Sequence, residues 1–131
     1  MSNKHINIGV ICVGHLGMHH VKHYKNIRNI NLVGIYDIDI ERSKYVAEKY
    51  KTVFFEDLKE LINKADALSI VTPTPNHFEI AKLCLENKKH VFIEKPITVN
   101  IKEADTLLRL GIENSVIIQV GHIERLNPAL L

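Results

Sequence analysis

Several common features are scarce in this chain. Lysine and arginine total 17 against 15 aspartate and glutamate, so the net charge is only +2. That leaves no broad basic field to hold nucleic acid or anionic lipid. Aromatic residues make up 6%, with no basic-and-aromatic stripe for stacking single strands. The two cysteines, Cys12 and Cys84, do not make a disulfide framework. No apolar run reaches the length of a membrane span, and the opening MSNKHINIGV lacks a signal peptide's apolar stretch. The expectation is a cytoplasmic protein that binds neither nucleic acid nor membrane.

What the chain has is alternation. Its 131 residues suffice for one domain, which at this size buries roughly two-thirds of its unfolded surface. Residues 6–13, 31–37, 67–72, 90–94 and 116–120 read as buried strands, with a shorter strand at 52–55. Helical patterns fill residues 15–28, 40–50, 56–63, 76–87 and 100–113. Leu16, Val21, Tyr24 and Ile27 mark the inner face of the first helix, and Val46, Ala47 and Tyr50 that of the second. Ile101, Ala104, Leu107, Leu108 and Ile112 give the last helix a core stripe, while Gly111 inside it costs about 1 kcal/mol. Asn76 with Glu79, and Asn100 with Glu103, read as capping boxes. Strands alternating with helices at this spacing predict an α/β fold, a doubly wound parallel sheet of the Rossmann kind with about six strands. Near-continuous apolar strands mean that helices cover both faces.

Residues 1–121 form the expected domain. In HIERLNPALL, Asn127 is a plausible N-cap and Pro128 the first helical residue, and Ala129, Leu130 and Leu131 have little to pack on. Residues 122–131 are therefore expected to start a crossover to a C-terminal domain absent from this chain.

The stretch Cys12-Val13-Gly14-His15-Leu16-Gly17 lies between the first strand and the first helix. It follows the G-x-G-x-x-G pattern of dinucleotide-binding turns, with Cys12 in the first glycine's place. Gly14, lacking a Cβ, lets backbone approach a pyrophosphate, and Gly17 lets the helix pack closely on the strand. The helix N-terminus around His15 and Leu16 offers free N–H groups and a positive dipole end. Asp37 ends the second strand about 20 residues after Gly17, where a carboxylate binds the adenosine ribose diol. A plain turn acid at a strand end is the other reading of Asp37. A carboxylate there repels a 2′-phosphate, so NAD is favoured over NADP, although Arg42 is close enough to keep NADP in play. Asp39 reads as the residue that opens the next helix. Gly9 and Gly14 have the outer spacing of a P-loop, but His15-Leu16 stand where Lys and Ser or Thr are required.

Cys12 costs about 1–3 kcal/mol if the turn needs glycine-only angles, and next to nothing if extended angles suffice. The expectation is a weakened but surviving site. A helix N-terminus can also activate a thiol, whereas small buried cysteines are commonly inert packing.

His15, His19 and His23 recur every four residues, with His20 beside them. That spacing can place imidazoles on one helix face, as metal ligands require. No Cys, Asp or Glu joins them locally, so no metal is expected. His15 reads as a loop residue over the phosphates, and His19 and His23 as a solvated face.

Three further stretches fall at predicted strand ends: TPTPNH at 72–77, EKP at 94–96 and GHIERLNP at 121–128. In open α/β sheets, ligands sit outside the carboxyl ends of the strands, where Thr72, Glu94, Lys95 and His122 then lie. A lysine at that edge can hydrogen-bond a hydroxyl and ease its loss of a proton. A surface lysine beside Glu94 is the alternative. With VGHLG and YDID, these stretches resemble the Gfo/Idh/MocA family of NAD(P)-dependent oxidoreductases, in order and over essentially the whole chain. The resemblance implies that Lys95 is catalytic, near the reacting carbon and the nicotinamide, and that Pro96 follows a cis bond. It implies that Thr72, Pro73, Thr74, His77 and Glu94 line the coenzyme, and that Arg125 and Asn127 lie by the nicotinamide end and the crossing to a second domain. GHIERLNPA is similar to the UDP-N-acetylglucosamine dehydrogenase-like branch, which acts on nucleotide-linked amino sugars. In the family a larger sheet domain follows, with the catalytic histidine and most substrate contacts, and this chain matches only the first domain.

The first reading is thus the NAD-binding domain of an oxidoreductase acting by hydride transfer on a sugar or nucleotide-sugar hydroxyl. The second is a non-catalytic NAD-binding module, a truncated product or half of a split enzyme, docking a partner chain or a second copy through an exposed C-terminal edge. A histidine-rich metal or redox sensor is the third.

Overall fold

The structure, a computed structural model, describes residues 5–121. Five strands form one wholly parallel sheet: β1 (Ile6–Ile11), β2 (Ile30–Tyr36), β3 (Ala67–Ile70), β4 (His90–Glu94) and β5 (Ile118–Gly121), in the order β2-β1-β3-β4-β5. The helices between them are α1 (His15–Asn26), α2 (Ile40–Tyr50), α3 (Leu58–Lys64), α4 (His77–Glu86) and α5 (Ile101–Glu113).

Alternation along β1 splits the core in two, because successive side chains of a strand point to opposite faces. Val10 joins Val13, Val21, Ile35, Val46 and Ala47 under α1 and α2. Ile11, its neighbour, joins the larger cluster of Leu61, Ile62, Leu68, Ile70, Leu85, Ile93 and Leu107 under α3, α4 and α5. Helices therefore cover both faces, and the strand order turns back at β1, opening a crevice at its carboxyl end.

Three expectations need correction. The segment 52–55 makes a single parallel bridge, Phe54 with Ile35, rather than a sixth strand. Asp57 cuts it short, because its carboxylate accepts from the Lys59 N–H and caps α3. The stripe on α5 is narrower than its apolar residues suggest: Leu107 is buried, but Ile101, Leu108 and Ile112 are exposed. Gly111 explains why. A Cβ there would meet Ile118 Cδ1 at 3.0 Å, so the helix sits on β5 along the Leu107–Gly111 line. Likewise Val21 of α1 is buried while Leu16 and Ile27 stay exposed.

The caps divide in the same way. Asn100 Oδ1 accepts from the Glu103 N–H at 2.8 Å, and Asp39 Oδ1 from the Arg42 N–H at 3.1 Å. Asn76 makes no side-chain cap, because a 3-10 turn at Thr74–Asn76 runs straight into α4. Among the described residues no helix is long and apolar enough to cross a membrane.

Gly17 shows what holds α1 to the sheet. A Cβ built on it would overlap the Cys12 carbonyl oxygen, which is backbone and cannot swing aside. Gly17→Ala is expected to destabilise the protein by about 2–3 kcal/mol, measured by urea unfolding. A change below about 0.5 kcal/mol would show that the turn relaxes freely.

Candidate functional site

The turn after β1 is built around a strained residue. Cys12 has φ 73°, in the left-handed region that favours glycine. Its N–H donates to the Tyr36 carbonyl at 2.7 Å, which ties the turn to the end of β2. Of the two alternatives at this position, the costly one therefore holds. The chain carries a β-substituted residue where the backbone bends like glycine, at about 1–3 kcal/mol. Burial pushes the Cys12 thiol up from its ordinary range, against a backbone hydrogen bond from Gly14 that lowers it. That opposes the activated-thiol reading. Cys84 lies fully buried and is pushed up to about 12.

Gly14 caps α1 with extended angles and no side-chain hydrogen bond. A Cβ on it would stand in open space, with only Arg42 Nη1 near at 3.9 Å. Nothing among the described residues requires glycine there, so the missing side chain leaves room at the helix N-terminus for something else. His15 is the first residue of α1 rather than a loop residue. His15, Leu16, His19 and His23 are all exposed, and the His15 and His19 rings meet edge-on at 4.9 Å. No group of three or more His, Cys, Asp or Glu that could hold a metal lies among the described residues.

Asp37 does two jobs at once. Its Oδ2 accepts from the Val13 N–H at 2.9 Å and its Oδ1 from the Asp39 N–H at 2.8 Å. The first bond crosses from β2 to the glycine turn, and the second is the turn acid's own. Arg42 Nη1 lies 3.6 Å from Oδ2, which puts the guanidinium between Asp37 and Gly14.

A cavity of about 400 Å³ opens at this crevice, within the usual range for a small-molecule site. It brings together four residues expected from sequence: Cys12, Asp37, Thr72 and Pro73. It also gathers Tyr36, Asn76, Glu79 and Ile80, which sequence reasoning missed. Tyr36 lies in the YDID stretch and Asn76 in TPTPNH, so their motifs could have found them, whereas Ile80 carries no motif and Glu79 only a capping pattern. Thr72 Oγ1 is buried without a hydrogen-bond partner among the described residues. A buried hydroxyl left so is costly unless a ligand meets it. Of the glycine turn only Cys12 lines this cavity, and Gly14, His15, Leu16 and Gly17 do not. The carboxylate and the orphaned hydroxyl on its wall suit the ribose of a dinucleotide, and the start of α1, just beyond Cys12, suits its phosphates.

The remaining expected residues lie elsewhere. Thr74 sits in the 3-10 turn outside the cavity wall. His77 is 1% exposed and does not reach the cavity. Its Nε2 lies 2.8 Å from the Thr72 carbonyl, and its Nδ1 lies 3.0 and 3.2 Å from those of Pro96 and Ile97. His77 thus ties the loop after β3 to the loop after β4. Glu94 is buried at the end of β4, and the exposed Lys95 follows it, with a cis peptide to Pro96. His122, Arg125, Asn127 and the expected crossover at 122–131 lie outside the described residues.

Comparison with known proteins gives one family. An oxidoreductase family with an NAD-binding Rossmann fold, Gfo/Idh/MocA, matches residues 6–122. UDP-N-acetylglucosamine 3-dehydrogenase of Acidithiobacillus ferrooxidans is 39% identical over 126 residues, spanning 96% of this chain and 40% of that enzyme. Its solved structure superposes with a TM-score of 0.92, covering 96% of this chain and 41% of that one. Inositol 2-dehydrogenase of Rubrobacter xylanophilus is 31% identical over 130 residues, spanning 96% of this chain and 38% of that enzyme. The chain thus spans about two-fifths of the length of these relatives.

The strained turn is directly testable. Cys12→Gly should raise stability by about 0.5–1 kcal/mol, the relief of the left-handed angle less the entropy glycine adds to the unfolded chain. It should also tighten NAD binding. Equal stability and equal affinity in the two proteins would show that the cysteine costs nothing. With its pKa raised, Cys12 should react with a thiol reagent at neutral pH more slowly than free cysteine.

Proposed function

The chain belongs to the Gfo/Idh/MocA oxidoreductases and is an NAD-binding Rossmann domain of that family, and from there we propose that it serves hydride transfer between NAD and a hydroxyl of a sugar or nucleotide sugar. The observation that carries this reading is that Asp37 holds the glycine turn through the Val13 N–H and shares with Cys12 of that turn one cavity at the strand-order reversal. The substrate class is supported by relatives whose names include a UDP-sugar dehydrogenase and an inositol dehydrogenase.

Bound NAD supplies the hydride acceptor, and the chain's own residues hold and orient it. Backbone N–H groups around His15 and Leu16 would donate to the pyrophosphate, with Gly14 giving the backbone its approach and Gly17 letting α1 pack against the turn. Asp37 uses the lone pairs left by Val13 and Asp39 to accept from the adenosine ribose hydroxyls. Its charge favours NAD, and Arg42 tempers that preference. Cys12 and Pro73 wall the cavity, and Thr72 Oγ1 takes a hydrogen bond from or to the coenzyme. Thr74 and His77 shape the wall from behind, His77 through the carbonyls it binds. Glu94 and Lys95 stand at the nicotinamide end, at the carboxyl edge of β4. There the Lys95 ammonium would donate a hydrogen bond to the oxygen of the reacting hydroxyl, easing transfer of its proton to a base of the substrate-binding domain. Arg125 belongs to the same end, and residues 122–131 to the crossing toward a substrate-binding domain. The cytoplasm is the proposed compartment, and a second copy or partner chain would meet the C-terminal edge.

Calorimetric titration with NADH and NADPH tests the coenzyme assignment. Asp37→Asn should weaken NADH binding about tenfold and narrow the gap between NADH and NADPH. An unchanged ratio would remove Asp37 from the ribose site. Turnover is tested with NAD and UDP-N-acetylglucosamine or inositol, followed by nicotinamide absorbance. Lys95→Met should then lower the rate by about 10²–10⁴ while leaving NADH affinity within about threefold. NADH binding without turnover would make the chain a coenzyme-binding module.

A further inference from the structure

Ser69 and Glu94 are both buried, one within β3 and the other at the end of β4. Both meet one side chain from α1. His20 Nδ1 lies 2.8 Å from Ser69 Oγ, and Nε2 lies 2.9 Å from Glu94 Oε1. The imidazole is 13% exposed and packs against Phe92, ring centroids 5.5 Å apart. His15, His19 and His23, which recur every four residues, are exposed, and His20 is the histidine of α1 turned inward.

The proton positions follow from the partners. A carboxylate only accepts, so His20 Nε2 carries the hydrogen toward Glu94. Burial pushes the His20 pKa below the ordinary imidazole value, outweighing the hydrogen bond and charge of Glu94, and His23 and His19 push the same way. The other polar neighbours among the described residues are Ser69 on β3 and Tyr24 on α1, whose hydroxyl burial pushes up and which hydrogen-bonds Ser69 in turn. The ring is therefore neutral at neutral pH, and its Nδ1 accepts from the Ser69 hydroxyl. A serine, a histidine and a carboxylate in series can activate a nucleophile, but Ser69 is 1% exposed inside the sheet and no substrate reaches it. The series acts on Glu94 instead. Glu94 Oε2 faces the end of β5, 3.2 Å from where a Cβ on Gly121 would stand.

We propose that His20 is a positioning residue for the nicotinamide end: a one-way relay, Ser69 O–H to Nδ1 and Nε2–H to Glu94 Oε1, fixes Glu94 and the adjoining Lys95 against α1. This rests on the assignment of Glu94 and Lys95 to the nicotinamide end. Its consequence is mechanical. One helix presents amides to the pyrophosphate at its first turn and holds Glu94 from its second, so it sets the register of both halves of the coenzyme.

Two measurements test it. Side-chain ¹⁵N NMR should show His20 as the Nε2–H tautomer, titrating below the 6.5 of an ordinary imidazole. An Nδ1–H tautomer, or an imidazolium at neutral pH, overturns the relay. Calorimetry should show that His20→Phe, which keeps ring volume, weakens NADH about tenfold but leaves ADP-ribose within about twofold. His20→Gln, which keeps a donor near Nε2, should recover most of the loss and serves if the phenylalanine variant fails to fold. Equal losses for both ligands, or none for either, overturn the positioning role. If the unmodified protein binds ADP-ribose but gains nothing from the nicotinamide half, the assignment of Glu94 and Lys95 fails, and the proposal with it. The NMR result would still stand as a description of the relay.

Discussion

Gly17 lies so near the Cys12 carbonyl that no side chain fits between them, and this approach decides where α1 meets the sheet. The turn that makes it has φ 73° at Cys12, and two hydrogen bonds from the end of β2 hold it. The Cys12 N–H reaches the Tyr36 carbonyl, and Asp37 accepts from the Val13 N–H. The second strand thus braces the bend out of the first. A cysteine survives at a position that favours glycine because the surrounding bonds and packing over-determine the conformation. Gly14 stands apart from this support, since a Cβ there would touch almost nothing inside the protein.

The two ends of the candidate site are built on different terms. At the adenosine end, Asp37 combines structural bonds with a place on the cavity wall, and Arg42 balances its charge. At the β4 end, polarity is mostly buried. Glu94 is held by His20, and His77 joins the loops after β3 and β4 through their carbonyls. Among the described residues the buried side-chain polar atom without a partner is Thr72 Oγ1, and Thr72 lies on the cavity.

Much of the fold was legible because its signals are local. Apolar runs and helical periodicity located the five strands and five α-helices of the described residues, to within a few residues at their ends. Asp39 and Asn100 cap as their side-chain chemistry suggests, within three residues of the amides they hold. Misreadings arose where something outside the element's own periodicity intervened. Phe54 reads as a strand residue but finds one bridge before Asp57 starts a helix. Leu108 and Ile112 match a core stripe, but Gly111 rotates α5 onto Ile118 and leaves them outside.

The sequence by itself determined the class of fold, the place of the glycine turn and the acid at the end of β2, because each depends on spacing along one or two elements. Tertiary structure alone decided which histidine faces inward. His15, His19, His20 and His23 are chemically the same, and only His20 meets Ser69 and Glu94, which lie 49 and 74 residues away. It also decided the angle at Cys12, and that His77 works behind the cavity wall rather than on it. Periodicity reports how a residue sits on its own helix or strand, whereas contacts between elements depend on how the whole sheet brings them together.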